Sequence, residues 1–106
     1  MDKLCFQSLG SGSSGNCYFI GNKQYGILID AGIGVRSVRK YLRNIGLDFT
    51  NIHAIFVTHD HADHIRAVGS LGERYKIPVY ATPETHEGIN RSYCVTEKLH
   101  LSKKII

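Results

Sequence analysis

Seven consecutive residues, Thr58-His59-Asp60-His61-Ala62-Asp63-His64, constrain this chain more than any other stretch. They hold three of its six histidines and two of its five aspartates. Immediately before them, from Ile52, runs IHAIFV, β-branched and aromatic enough to form a buried strand. The polar run therefore starts where a strand of an α/β fold ends, which is where such folds place their ligand crevice. On an extended segment His59 and His61 project to the same side, and two imidazoles so placed can chelate one ion such as zinc. Asp63 and His64 are neighbours, project differently, and can reach a second ion beside the first. A carboxylate paired with an imidazole suits zinc, manganese or iron. The competing reading is a polar loop with histidines on it by chance. It leaves three titratable rings and two acids crowded at a strand end without a task.

The flanking chain supplies the frame. KLCFQSL, NCYFIG and YGILID read as strands, separated by a Gly/Ser stretch and by a Gly21-Asn22 turn. From Val35 the period changes: Val35, Val38, Leu42 and Ile45 recur at helical spacing, and Gly46 is placed to end the helix. Ile65, Val68, Leu71 and Tyr75 predict a second helix, and Ile77-Pro78-Val79-Tyr80-Ala81 a strand. Thr82-Pro83 predicts the start of a third helix that runs to about Arg91. The end, LSKKII, looks like a further strand beginning. The order βββαβαβα predicts an α/β layer, a mixed sheet with helices on one face.

The Gly/Ser stretch, Gly10 to Gly15, fits G-x-G-x-x-G, and Asp30 lies where a dinucleotide fingerprint wants its ribose-binding acid. That fingerprint needs a helix to begin inside the glycine run, so that the helix N-terminus meets the pyrophosphate. The residues after Gly15 read as strand instead. No Gly-Lys-Ser/Thr ends the run either, so a phosphate loop is excluded as well.

Composition narrows the class without deciding it. A net charge of +4 favours anionic partners only mildly. More pointed is the first helix, whose polar side carries Arg36, Arg39, Lys40 and Arg43 with no acid between Asp30 and Asp48. It is either a solvated helix face or a track for phosphates. Cys5, Cys17 and Cys94 form no CxxC pair and are odd in number, as in a reduced, cytoplasmic protein. No apolar run is long enough to span a membrane, and the start lacks a signal-peptide h-region.

HxHxDH after an apolar strand resembles the metallo-β-lactamase superfamily. SLGSGSSGNCYFI, ILIDAGIG, VTHDHADHIRAVG and IPVYAT resemble, more narrowly, its YycJ/WalJ-like branch of bacterial exonucleases. The resemblance implies that residues 1–106 form an incomplete domain, the N-terminal αβ half of an αβ/βα sandwich. It implies two divalent metal ions, zinc first, with manganese or iron as alternatives. His59 and His61 would hold one, Asp63 and His64 the other, and Asp63 would also take a proton from the attacking water. Asp30 corresponds to an upstream acid that accepts the ring N–H of a ligating histidine; the competing reading is a strand-end aspartate that turns the chain. The Gly/Ser turn would lie at the rim of the metal cleft. There its amides, with Ser11, Ser13, Ser14 and Asn16, either cradle an anionic group as a nest or form a plain hairpin turn.

The expected parent protein is a metal-dependent phosphodiesterase or exonuclease acting on DNA, with no membrane partner. The superfamily completes its site with residues further downstream, including a bridging aspartate, and no aspartate comes after Asp63. His86, in the third predicted helix, and His100 have no matching context, and His53, on the strand, is read as packed or solvent-facing. The 106-residue chain is therefore expected to be inactive alone, with a second copy covering its bare sheet face. The alternatives are a hydrolase of small esters, thioesters or lactones, and a non-catalytic metal-binding fragment.

Overall fold

The computed structural model describes residues 3–106. Six strands form one sheet in sequential order: β1 (Cys5–Gly10), β2 (Cys17–Gly21), β3 (Gly26–Ala31), β4 (Ile52–Phe56), β5 (Val79–Ala81) and β6 (Lys103–Ile105). The first three pair antiparallel, and β3 through β6 pair parallel. Connection length explains the change. The β1–β2 and β2–β3 links are short turns, which return the chain antiparallel, whereas parallel neighbours need a crossover of a dozen residues or more. Those crossovers carry the helices α1 (Val35–Asn44), α2 (Ala62–Ile65), α3 (Val68–Glu73) and α4 (Pro83–Arg91).

Burial alternates along the strands and shows on which face the helices pack. Phe19, Leu28, Ile55 and Val79, cross-strand neighbours in register, are fully buried. They meet Val38 and Leu42 of α1, Ile65, Val68, Leu71 and Ile89 in one core. On the opposite face Tyr18, Ile20, Ile27, Ile29, Phe56 and Tyr80 are only half covered. The helices thus lie on one face of a mixed sheet, as the sequence predicts. The other face presents stacked pairs, Phe6 on Tyr18 and Phe56 on Tyr80, with ring centroids 5.9 and 5.0 Å apart.

The helix boundaries reflect local chemistry. Past α1, Gly46 adopts φ 81°, and its N–H and that of Leu47 bond back to Arg43 and Leu42, closing the helix with the left-handed cap that glycine favours. Thr82 caps α4 by accepting the Thr85 N–H, with Pro83 at the first helical position. One expectation fails in detail. The single helix predicted over Ile65 to Tyr75 is two short ones, because the Ala67 N–H leaves the helical ladder to donate to the Ala31 carbonyl at the end of β3. That bond ties the segment after the histidine run to the central strand. The terminal strand hinted at by LSKKII is present as β6. Two anchors hold it: His86 Nε2 on the Lys104 carbonyl at 2.6 Å, and Glu73, which accepts from the His100 and Ser102 N–H groups and the Ser102 hydroxyl.

Candidate metal centre

The histidine run leaves β4 at the same end of the sheet at which β3 finishes. Asp30 is an extra residue in β3, a bulge between the pairs Tyr18–Ile29 and Cys17–Ala31, and its φ of 61° is left-handed. Aspartate tolerates that region better than most side chains. The turn brings its buried carboxylate under the start of the run. Oδ1 accepts the Thr58 N–H at 2.7 Å, and Oδ2 accepts the Thr58 hydroxyl at 2.7 Å and sits 2.7 Å from His64 Nδ1. The carboxylate thus ties the end of β3 to Thr58 and His64 of the histidine run.

This network sets two tautomers. A carboxylate only accepts, so His64 presents an N–H at Nδ1, and in the neutral ring the lone pair lies on Nε2. The Thr58 hydroxyl spends its one hydrogen on Asp30, so its oxygen, 2.9 Å from His59 Nδ1, accepts the proton carried there. The neutral His59 ring then carries its lone pair on Nε2. One aspartate thus fixes His64 directly and His59 through the Thr58 hydroxyl, the kind of contact by which proteins orient metal-binding histidines.

The rings cluster. His59 stands 3.8 Å from His64 and 4.6 Å from His61 between centroids. Asp63 Oδ2 is 3.7 Å from His64 Nε2. His59, Asp63 and His64 are half-buried and His61 is exposed, so the cluster opens to solvent at the sheet end.

Asn16 closes the back of the cluster. Its Nδ2 lies 2.9 Å from the Gly12 carbonyl, 3.1 Å from Asp63 Oδ2, and 3.2 Å from both the Asp63 carbonyl and His64 Nε2. Its Oδ1 accepts the Gly12 N–H, and its backbone N–H donates to the Asp63 carbonyl at 2.7 Å. Gly32 packs so tightly on that same carbonyl that a β-carbon there would overlap it. Ser11, Ser13 and Ser14 stand exposed on the turn. The structure thus brings Asn16 to the histidine run and leaves the three serines at the surface beside it.

The donors suit a divalent cation in kind. Imidazole nitrogens and a carboxylate gather at one sheet end, and around Asn16 four acceptors compete for two amide hydrogens. Convergence is partial: among the described residues no three His, Cys, Asp or Glu side chains meet closely enough to hold an ion. His53 stacks on Tyr25 with centroids 4.2 Å apart, and His86 is buried in α4, so neither joins the cluster. His100 is exposed in the segment leading to β6. Asp60, not singled out by spacing, has its carboxylate pressed onto Gly88 of α4, where any side chain would collide with it. Only the fold reveals that contact.

The family model described as the metallo-beta-lactamase superfamily matches residues 10–101. The chain belongs to that superfamily. It is 37% identical over 82 residues to the exodeoxyribonuclease YycJ of Bacillus anthracis, a match covering 77% of this chain and 31% of that protein. It is 33% identical over 87 residues to the exodeoxyribonuclease WalJ of Streptococcus pneumoniae, covering 82% and 32%. The chain therefore spans about a third of the length of these curated relatives. Among solved structures, a metallo-β-lactamase from Cronobacter sakazakii superposes with a TM-score of 0.76 at 18% identity, over 92% of this chain and 43% of that one. The six-stranded sheet with helices on one face is an αβ half of the metallo-β-lactamase type. No helix among the described residues is long and apolar enough to cross a membrane.

Proposed function

We propose that the protein carrying this chain is a phosphodiesterase that degrades DNA from an end, with two divalent ions, zinc first, held at the cluster after β4. The observation that supports this reading is the pair of imidazoles engaged on their Nδ1 side by Asp30 and Thr58, beside the Asp63 carboxylate. The YycJ and WalJ relatives, both exodeoxyribonucleases, supply the substrate class.

Divalent ions at such a site supply Lewis acidity and bring the ionisation of water toward neutral pH. His59 and His61 would hold one ion, and Asp63 and His64 the other. Asp30 engages His64 Nδ1 directly, and the Thr58 hydroxyl that donates to Asp30 engages His59 Nδ1, which leaves each Nε2 as the atom that would meet a metal. Asp63, half-open to solvent, is the acceptor for the proton that leaves an attacking water. The Gly/Ser turn, pinned to Asp63 by Asn16, offers Ser11, Ser13 and Ser14 with nearby amides as donors to a phosphate oxygen. In this reading the 106-residue chain by itself is inactive.

The test is hydrolysis of end-labelled linear DNA by the full-length protein, against His59→Ala and Asp63→Ala, with ester and lactone substrates in parallel. Loss of DNA hydrolysis by at least about 100-fold in both variants is expected. Hydrolysis of esters or lactones with DNA untouched contradicts the proposal.

A further inference from the structure

The outer face of α1 carries a charge pattern that neither fold nor metal cluster requires. Arg36, Arg39, Lys40 and Arg43 stand at i, i+3, i+4 and i+7, one above another on a single face. Arg36–Lys40 and Arg39–Arg43 are like-charge pairs at i, i+4, a spacing that weakens a helix. No acid lies in the first turn, and none of the four cations takes part in an ion pair among the described residues. Elsewhere in the chain Arg74 and Arg91 do have acidic partners, at 2.7 and 3.0 Å.

Arg39 is held in place. Its guanidinium donates to the Tyr75 hydroxyl at 2.8 Å and lies 4.9 Å from the Phe49 ring centroid and 5.6 Å from that of Tyr75. A stacked, oriented guanidinium keeps part of its donor fork free at low entropic cost. Arg36, Lys40 and Arg43 stand exposed around it, and with Arg39 and Asn44 they line one shallow concavity. Asp48, which feels the charges of Arg43 and Arg39, has its carboxylate hydrogen-bonded by the Thr50 N–H and hydroxyl at 2.9 and 2.5 Å and forms no ion pair with either arginine. The helix starts three residues past Gly32, which packs on Asp63, and its ten residues extend roughly 15 Å. From Arg36 to Arg43 the rise is about 10 Å, against about 3.4 Å per nucleotide along a stacked strand, so the stripe spans about three nucleotides.

We propose that this face of α1 is a docking track for the phosphodiester backbone of a nucleic acid, leading to the histidine cluster. The track rests on the phosphodiesterase reading for its destination, but binding along it needs no metal and no turnover. Its four cations contact phosphates without reading bases, so binding is independent of sequence and sensitive to salt.

Fluorescence anisotropy tests this with the metal-free full-length protein and a labelled 20-nucleotide DNA, single-stranded or duplex, and the matching RNA. Sodium chloride is varied from about 50 to 200 mM. The variant Arg36→Ala/Lys40→Ala/Arg43→Ala removes three exposed cations and raises helix propensity, so the fold survives. The control Arg91→Ala/Lys103→Ala/Lys104→Ala makes the same change in net charge at the far side of the sheet. The proposal expects binding by the wild type and at least a tenfold loss in the α1 variant. It also expects the single-strand salt slope to shrink by about 2, as three phosphate contacts predict, and near-native binding in the control. Equal losses in the two variants, unchanged binding in the α1 variant, or no wild-type binding at the lowest salt overturns it. So does stronger competition by polyglutamate than by unlabelled DNA, which would assign the face to an acidic protein. Binding along α1 without phosphodiester hydrolysis would overturn the functional reading and leave the track standing.

Discussion

At Asp30 the chain adopts a left-handed backbone that disfavours an L-residue by about 1–2 kcal/mol. The buried carboxylate's set of partners, the Thr58 N–H and hydroxyl and the His64 ring, offsets this. Asparagine also tolerates the left-handed region and can accept from Thr58, but its neutral amide is a poorer partner for the His64 N–H. Asp30→Asn is therefore expected to fold while binding zinc about 10–100-fold more weakly, the usual effect of losing the group that orients a ligating histidine. Chelator competition measures it, and unchanged affinity would leave Asp30 a purely structural turn. The same carboxylate, after burial itself, helps push the Cys17 thiol up to about 12, so that cysteine stays protonated and unreactive at neutral pH. The four ligand candidates were legible from spacing and residue type alone. The roles of Asn16 and Asp60 were not, because both depend on neighbours distant in sequence: Asn16 on Asp63 and His64, Asp60 on Gly88.

Among the elements, the strands and capped helices could be read from local signals: alternation in β2 and β3, glycine after α1, Thr-Pro before α4. The division of α2 from α3 could not, since the Ala67 N–H is diverted by a carbonyl from another strand. β6 is a marginal element of three exposed residues, and its placement depends on Glu73. The His100 N–H, then the Ser102 hydroxyl, hold the Glu73 carboxyl below its ordinary 4.5. A carboxyl whose pKa is depressed on folding stabilises the protein above its unfolded pKa, and that contribution is lost as pH falls through the folded value. Glu73→Gln should therefore melt lower than wild type above about pH 5, and the gap should close in more acidic solution. Melting curves across that range check it; a gap that persists or widens in acid would contradict the role given to Glu73.

For the molecule as a whole, chain order and hydrophobic pattern were enough to predict a mixed sheet with helices on one face, and the superfamily match agrees. The uncovered face, with Phe6, Tyr18, Phe56 and Tyr80 in stacked pairs, is the counterpart of that one-sidedness. The site is similarly one-sided. Its histidines are oriented by groups within this chain, yet their donors gather without converging. The account stands on whether this cluster holds metal. The most direct measurement is zinc stoichiometry by elemental analysis of the full-length protein after dialysis, with and without His59→Ala/His64→Ala. About two ions per chain in the wild type, falling by at least one in the variant, is the predicted result. Metal-free wild type, or a variant that keeps every ion, would contradict the assignment of His59 and His64 as ligands.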